Sequence, residues 1–309
     1  MHVAILGAGA IGSALASSLA REAQVTLIGH PNQHLAALER DPLTVVRPDG
    51  STTTRELAVT TAHDVVAEAD LLVVAVKSYD TETAMADVAP ALATCPVLTV
   101  QNGLGNVERI REFVPAEAVI GGTTTMGAFL PEPGRVQVES WGQTRVGRPW
   151  GPEDEFLARV AATFSRAGVP TTVEREIRDA IWEKTLLNVG INPVTALGRV
   201  QNGALQSGPG RALLEAAITE ANRVARAEGH GVENPVERAL DVVRATAENR
   251  SSMLRDVQTG SRTEIGALNG AVVDRAKAYD VPVPVNQTLT DAVRLTTREK
   301  AHSSNGRPL

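Results

Sequence analysis

A lysine and two asparagines recur at four-residue intervals within the segment IWEKTLLNVGINPVTAL. On a helix, this spacing places Lys184, Asn188 and Asn192 along one face. Reduction of a ketone needs a hydride on carbon and a proton on oxygen, so an ammonium group can act as the general acid while amides hold the substrate's oxygens. A solvated outer face would carry the same residue types, and the spacing alone leaves both interpretations open.

A second group suited to chemistry is the glycine-rich segment VAILGAGAIG at residues 3 to 12. Its three glycines would allow a tight turn, a close approach of pyrophosphate to the backbone, and close packing of helix on strand. The N-terminus of the following helix offers N–H groups and a favourable dipole to the phosphates. A structural turn without ligand is the alternative, but strand, glycines, helix and second strand follow in the order that dinucleotide binding requires. The predicted cofactor-binding residues here are Gly7, Ala8, Gly9, Ala10, Ile11 and Gly12.

The end of the second strand, which normally selects between NAD and NADP, reads TLIGHPNQ. It contains neither an acidic residue for a ribose hydroxyl nor an arginine for a 2′-phosphate. His30 could hydrogen-bond a phosphate, and the lack of a repelling carboxylate favours NADP, although a surface turn at His30 and Pro31 explains these residues equally well. These residues therefore leave the choice between the two cofactors open, with a slight preference for NADP, and NAD is not excluded.

Two other segments follow predicted strands: AVKSYD comes after LLVVAV, and QNGLGN comes after PVLTV. Doubly wound folds bind ligands at the carboxyl ends of their strands, so Lys77 and Asn102 are candidate cofactor contacts. A solvated charge and an ordinary turn are the alternatives.

Later in the chain, ENRSSMLRDVQTGSRTEIGALNG places Ser252, Arg255 and Glu264 among few apolar residues. This segment is either an exposed loop and helix or a substrate pocket whose carboxylate keeps the lysine charged.

The elements that must position these residues change in type along the chain. Short β-rich runs alternate with helical stretches through the first half, and LLVVAV is apolar throughout, as in a central strand covered on both faces. From about Glu153, apolar residues recur at helical spacing. The predicted fold class is α/β, an N-terminal Rossmann-type doubly wound sheet with a mainly helical C-terminal domain. A break at Gly168 and Pro170 places the NAD(P)-binding domain at residues 1–172 and the substrate domain at 173–309.

Composition and charge exclude several classes of protein. A length of 309 residues with 43% hydrophobic residues permits two sizeable cores. The net charge of −6 argues against nucleic acid or an anionic membrane as a partner, and no apolar run approaches the roughly 20 residues of a membrane span. We expect no metal site, because Pro31 separates His30 from His34 and no Cys, Asp or Glu converges on them in sequence.

The single cysteine, Cys95, permits no internal disulfide. The N-terminus enters a strand-like run at once, so we expect no signal peptide and a cytoplasmic protein. A homodimer is compatible with the sequence, which does not fix the oligomeric state.

In their order and spacing, these motifs resemble the ketopantoate reductase family, whose members reduce 2-dehydropantoate to pantoate with NADPH in the pathway to pantothenate and coenzyme A. The resemblance spans almost the whole chain. It rests on GAGAIG, VKS, QNGLGN, GGTTTMGA, WEKTLLNVGINPVTAL, ENRSSMLRDV and TEIGALNG. The fold that it implies, a Rossmann domain followed by a helical domain, agrees with the organisation predicted from periodicity.

The resemblance implies a role for each matching residue. Lys184 is implied to be the proton donor, and Glu264 to lie beside the catalytic lysine and the cofactor. Asn102 is implied to contact both nicotinamide and substrate, while Lys77 and Ala128 line the cofactor site. The implied substrate-binding residues are Asn102, Lys184, Asn188, Asn192, Asn202, Ser252, Met253, Leu254 and Arg255.

One departure from the family pattern is His30, which stands where members that use NADPH commonly carry an arginine. The expected function is the NADPH-dependent reduction of 2-dehydropantoate, a small 2-oxo acid, with Lys184 as proton donor. Two alternatives are a reductase of another 2-oxo or 3-oxo acid with the same architecture and a non-catalytic protein that senses NAD(P). The lysine, amide and carboxylate set argues against a sensor, which would not need it.

Overall fold

The β-rich first half and the helical second half of the sequence correspond to two units of the chain. The computed structural model describes residues 1–92 and 94–297, and the chain divides into Met1–Ile181 and Trp182–Leu309. The division falls inside a long helix, later in the chain than the boundary expected from Gly168 and Pro170.

All the described strands lie in the first unit. Their bounds are β1 His2–Leu6, β2 Gln24–Ile28, β3 Leu43–Val46, β4 Thr52–Arg55, β5 Ala58–Thr60, β6 Leu71–Val74, β7 Val97–Thr99, β8 Val119–Thr124, β9 Gly127–Glu132, β10 Arg135–Ser140, β11 Thr144–Gly147 and β12 Thr171–Val173. The helices that precede the division are α1 Ala10–Leu19, α2 Gln33–Leu38, α3 Thr81–Val88, α4 Asn106–Arg111 and α5 Glu155–Arg166, and the helix that contains it is α6 Ile177–Gly198.

The main sheet has eight strands in the order β12-β11-β8-β7-β6-β1-β2-β5. The six strands from β8 to β5 in this order are parallel neighbours, and β11 joins β8 in the antiparallel direction. Side chains alternate between the faces of a strand, so Val3 and Ile5 pack with α1 on one face while Ala4 and Leu6 pack with α3 and α4 on the other. Burial on both faces explains the uninterrupted apolar runs. The predicted Rossmann-type sheet is confirmed.

A second sheet, in the order β4-β3-β10-β9, packs on the same side as α1. The hairpin that joins β3 to β4 turns through RPDGS, where Gly50 adopts a positive φ of 81° and its N–H donates to the Arg47 carbonyl at 2.9 Å. Residues of the main sheet and of the second sheet pack against α1, and every residue of α1 from Gly12 to Leu19 is buried. This enclosure explains why α1 is rich in small and apolar residues all around its axis.

His34 joins α2 to both neighbouring layers. The Gly134 N–H donates to its Nδ1 at 3.0 Å, and Ser13 Oγ lies 3.0 Å from its Nε2. Because Nδ1 accepts a hydrogen bond, the neutral ring carries its hydrogen on Nε2 and donates it to Ser13. Burial lowers the pKa of His34 below its ordinary value of 6.5, which favours this neutral form.

The second unit is helical, as predicted. Beyond α6, its helices are α7 Gly208–Ala227, α8 Pro235–Ala245, α9 Ser252–Thr259, α10 Ala271–Ala276 and α11 Pro284–Thr296, and a π-helical turn spans Gly266–Gly270. The buried carboxylate of Glu220 in α7 accepts hydrogen bonds from the backbone N–H groups of Val285 and Asn286, both at 3.0 Å. These groups begin α11 and lack partners within that helix, so Glu220 fixes its start. No helix among the described residues has both the length and the apolar character needed to cross a membrane.

The buried neutral His34 predicts a stability that depends on pH. Its folded-state pKa is lowered, so its contribution is complete above the unfolded value of 6.5 and is lost as the pH falls from 6.5 towards the folded pKa. We expect His34→Gln to cost about 1–3 kcal/mol at about pH 8 and less at about pH 5. Urea unfolding of both proteins at the two pH values measures the difference, and an equal cost at both would refute the neutral assignment.

Candidate functional site

The glycine turn after β1 is shaped by a close approach of backbone to backbone. Gly7 has a φ of 119°, a conformation that residues with a side chain rarely adopt, and its N–H donates to the Ile28 carbonyl at 2.8 Å. A Cβ on Gly7 would lie 2.6 Å from the Val76 backbone nitrogen. The turn is therefore held between the ends of β2 and β6, the neighbours of β1 in the sheet.

Gly12 and Gly9 differ in what surrounds them. A Cβ on Gly12 would lie 1.9 Å from the Gly7 carbonyl oxygen, so only glycine lets α1 approach the turn this closely. Gly9 is exposed, and a Cβ there would meet nothing within 4 Å. The first N–H groups of α1, beginning at Ala10 and Ile11, have no acceptor within the helix by its geometry. The open space at Gly9 and these donors suit an approaching anion.

Gly29 is a further glycine at this edge, and its role was not predicted from the sequence. A Cβ on Gly29 would lie 2.7 Å from the Cβ of Ala8, so the residue after β2 must be small for the glycine turn to fit. The signal was present in TLIGH, where a glycine ends an apolar run. The next residue, His30, is exposed at the carboxyl end of β2, next to β1 in the sheet. This is the edge at which doubly wound folds discriminate between cofactors.

Hydrogen bonds join the loops that carry Lys77 and Asn102, which follow the neighbouring strands β6 and β7. Ser78 Oγ donates to the Asn102 carbonyl at 2.7 Å. The amide of Gln101 donates to the Val76 carbonyl at 2.8 Å and to Thr81 Oγ1 at 2.8 Å. The structure therefore brings Lys77 and Asn102, both half-buried, to the same edge as the glycine turn. Ser78 and Gln101 fix the loops, a role that single-sequence analysis did not assign to them.

Ala128 lies in β9, opposite Val138 of β10. It is half-buried and packs against the hydrophobic core that Ala8, Ile11 and Ala75 also contact. The structure thus places Ala128 in the second sheet rather than at the end of a main-sheet strand.

In the second unit, α6 carries the three residues at four-residue spacing. Lys184 and Asn188 are half-buried, and Asn192 is only 7% exposed. This burial differs from that of a solvated outer face, which was one of the two interpretations of the pattern. A partly buried ammonium and two amides on one face can bind and protonate a small polar molecule.

The segment with Ser252 is attached to the same helix. Thr195 Oγ1, in the turn after Asn192, lies 2.7 Å from Ser251 Oγ, which also accepts a hydrogen bond from the Leu254 N–H and so caps α9. Ser252 is exposed at the start of α9, whereas the side chains of Met253 and Leu254 are buried. Of the four residues of α9 that were predicted to bind substrate, only Ser252 and the half-buried Arg255 have side chains that a substrate could reach.

The buried Glu264 precedes a π-helical turn that is joined to α6 through one side chain. Asn269 Nδ2 donates to the Val189 carbonyl at 3.0 Å and to Asn286 Oδ1 at 3.0 Å. Val189 is four residues before Pro193, which has no N–H, so its carbonyl lacks the usual partner within α6. Asn269 supplies the missing donor. Single π-helical turns are frequent at functional sites, and this one connects the Glu264 segment to the turn of α6 that follows Asn188.

Asn202 supports the loop before α9. Its N–H donates to the Asn249 carbonyl at 3.0 Å, and its Nδ2 donates to Thr246 Oγ1 at 2.9 Å. Its Oδ1 is buried and has no hydrogen-bond partner among the residues that the structure describes. The observed contacts thus connect Asn202 to the segment leading to Ser252, and a direct contact with substrate stays a prediction.

Comparison with known proteins gives one consistent family. The sequence model described as ketopantoate reductase PanE/ApbA matches residues 3–150, and the one described as its C terminal matches residues 176–297. A 2-dehydropantoate 2-reductase from Halobacterium salinarum is 49% identical, covering 97% of this chain and 100% of that protein. One from Pyrococcus horikoshii is 36% identical, covering 95% and 97%. The crystal structure of a PanE/ApbA family ketopantoate reductase from Ralstonia eutropha JMP134 has a TM-score of 0.88 at 32% identity, covering 97% of this chain and 99% of that one.

The contrast between Gly12 and Gly9 predicts two different defects. Gly12→Ala should destabilise the free protein by about 1–3 kcal/mol or more, because the backbone of the turn must move. Gly9→Ala should change stability by about 1 kcal/mol or less and weaken dinucleotide binding, because the methyl group would occupy the space predicted for pyrophosphate. Thermal unfolding and fluorescence titration with NADPH measure both. Wild-type NADPH affinity in Gly9→Ala would show that the pyrophosphate does not approach this residue.

The pairing of Asn269 with Pro193 predicts non-additive stability changes. Asn269→Leu leaves the Val189 carbonyl buried without a donor and should cost about 1–3 kcal/mol. Pro193→Ala restores an N–H for that carbonyl, so the double variant should lose less stability than the sum of the two single changes. Pro209 at the start of α7 provides the control, because a missing N–H there leaves no helical carbonyl unpaired. The stability changes of Asn269→Leu and Pro209→Ala should add. If the changes of Asn269→Leu and Pro193→Ala also add, Asn269 does not replace the missing N–H of Pro193.

Proposed function

This chain belongs to the ketopantoate reductase family, and we propose that it reduces 2-dehydropantoate to pantoate with NADPH, with Lys184 as the proton donor. The observation that carries this proposal is the partly buried face of α6, on which Lys184 precedes two amides at four-residue spacing. Relatives named 2-dehydropantoate 2-reductase align with nearly all of this chain. In a nicotinamide-dependent reduction, the glycine turn, Lys184 and the two amides described above would each have a role.

Lys184 completes the reduction by transferring a proton. When bound, the nicotinamide supplies a hydride to the carbonyl carbon of the substrate. Negative charge then develops on the carbonyl oxygen, and the ammonium of Lys184 stabilises this charge and donates a proton to it. Glu264 is proposed to favour the charged form of Lys184, since a nearby carboxylate stabilises an ammonium.

The remaining polar side chains are proposed to hold and orient the substrate. Asn188 and Asn192 share the face of Lys184 and can bond the carbonyl and hydroxyl oxygens, which keeps the carbonyl close to the proton donor. The carboxylate of a 2-oxo acid suits the Ser252 hydroxyl and the Arg255 guanidinium. In the first unit, two hydrogen bonds to the backbone carbonyl of Asn102 fix that residue, which suits its proposed contact with nicotinamide and substrate.

The cofactor is proposed to bind along the carboxyl edge of the main sheet. The N–H groups at the start of α1 would hold the pyrophosphate, and Lys77 and Ala128 would line the site. The exposed His30, with no acidic residue beside it at the end of β2, supports NADPH over NADH.

A single assay tests the substrate, the cofactor and the proton donor. We expect the protein to oxidise NADPH in the presence of 2-dehydropantoate, and to do so faster than NADH. Lys184→Ala should lower kcat by about 10²- to 10⁴-fold, the range for loss of a general acid. Lys277→Ala, which removes an exposed lysine paired with Asp274, is the control and should retain full activity.

Two results would change the proposal. Near-normal turnover by Lys184→Ala would remove this residue from the mechanism. Tight NADPH binding without oxidation by 2-dehydropantoate, in protein shown to be folded, would move the assignment to another 2-oxo or 3-oxo acid. A panel of such acids then identifies the substrate.

A further inference from the structure

Three arginine side chains converge on a small cavity in the first unit, at the end of α1 remote from the glycine turn. The cavity is lined by Arg21, Arg47 and Arg55 together with Ser18, Thr53 and Trp141. None of these residues has a role in the proposed reduction.

The secondary structure accounts for this convergence. Val45 of β3 pairs with Thr53 of β4 in an antiparallel register. Residues two apart on a strand share a face, so Arg47 continues the face of Val45 and Arg55 continues that of Thr53. Ser18 and Arg21 lie three residues apart at the end of α1, where the Arg21 N–H donates to the Ser18 carbonyl at 3.2 Å. The β3–β4 hairpin and the turn that follows α1 thus bring three positive charges to one place.

These charges are not balanced by ion pairs. Within residues 1–92 and 94–297, no carboxylate forms an ion pair with Arg21, Arg47 or Arg55, and the neighbouring Glu22 pairs with Arg166 at 3.2 Å. Burial, and then the charges of Arg47 and Arg55, lower the pKa of Arg21. The exposed Asp49 lies near Arg47, and hydrogen bonds from Ser51 and the charge of Arg47 hold its pKa below its usual range.

The cavity is distinct from the dinucleotide edge. The ten residues of α1 span about 15 Å, and the helix runs antiparallel to the strands that it covers. Its N-terminus is at the carboxyl edge of the main sheet, so its last turn is at the opposite edge. Phosphates bound at the glycine turn would therefore not reach the three arginines.

We propose that this cavity binds a phosphate-type oxyanion, either inorganic phosphate or the phosphate group of a small metabolite. Guanidinium groups match the oxygens of such an anion with paired donors, and the hydroxyls of Ser18 and Thr53 add neutral donors. The enclosed part of the cavity has room for about one water molecule, so the phosphate group would sit at its open mouth, beside the exposed Arg21. The C-terminal dipole of α1 opposes an anion with about half a charge, which three full positive charges outweigh.

Binding would relieve the repulsion among the arginines, so it should raise the stability of the protein. Thermal unfolding of the full chain in increasing sodium phosphate, with ionic strength held constant by sodium chloride, measures this effect. We expect the Tm of the wild type to rise with phosphate. Arg47→Gln and Arg55→Gln should each weaken phosphate binding about tenfold or more, because each removes a charged hydrogen-bond donor. In chloride alone, both variants should melt at or above the temperature of the wild type, because repulsion is reduced.

Two controls separate this site from other effects. Arg40→Gln removes an exposed arginine just after α2 and should leave the response to phosphate unchanged. Saturating NADPH occupies the glycine turn, so a response at the arginine cavity should persist in its presence. Glycerol 3-phosphate, used in a parallel titration, distinguishes a phosphate monoester from inorganic phosphate as the preferred ligand.

The proposal fails under either of two results. One is a phosphate response in Arg47→Gln and Arg55→Gln equal to that of the wild type. The other is the absence of any response from the wild type to both phosphate and glycerol 3-phosphate when NADPH is bound. Neither result depends on whether 2-dehydropantoate is the substrate.

Discussion

The first unit depends on the distance between α1 and the turn that precedes it. A Cβ on Gly12 would lie 1.9 Å from the Gly7 carbonyl oxygen, so the helix sits closer to the end of β1 than any other residue at position 12 would permit. This contact lets the second sheet close over the other side of α1 and bury the helix from Gly12 to Leu19. The same contact directs the first N–H groups of α1 to the edge where β2, β6 and β7 end. A packing constraint between two glycines thus positions the free N–H groups at which the cofactor is proposed to bind.

Polar contacts add to apolar packing in setting the position of the candidate site in the second unit. Pro193 deprives the Val189 carbonyl of its helical partner, and the buried Asn269 replaces it. Thr195 and Ser251 join the next turn of α6 to the start of α9. Buried hydrogen bonds of this kind are directional, so they specify the register between helices more narrowly than apolar packing does. This precision is suited to a face that must hold a lysine and two amides in one orientation.

Sequence patterns predicted the parts of the structure that depend on local periodicity. The parallel strands, the glycine turn and the helical second half all follow from runs and spacings of fewer than about 20 residues. The second sheet did not follow, because β3 pairs in parallel with β10, and the two strands are far apart in sequence. The turn RPDGS was a visible signal for the β3–β4 hairpin, but it did not indicate what the hairpin would pack against.

The same limit applies to single residues. The spacing of Lys184, Asn188 and Asn192 identified a polar face, whereas their burial depends on other helices and was undetermined. Gly29 was missed because its constraint is a contact with Ala8, on a different strand end. The sequence assigned His34 no role beyond a metal site that was not expected, and in the structure it is a neutral link between layers. In each case, the residue's role depends on a contact with a residue far away in the sequence, which local propensity and spacing do not predict.

The negative charge of the chain makes the two ends of α1 important, because positive character is concentrated at both. With a net charge of −6, the protein as a whole repels anions, so any anion must be bound where positive character is concentrated locally. At the start of α1, the backbone N–H groups provide local positive character without any charged side chain. At the other end of the helix, where the dipole is unfavourable, the same result requires full charges, and three arginines from two elements are present. The two proposed anion sites at the ends of this buried helix would thus attract anions by different physical means, because the backbone contributes opposite signs there.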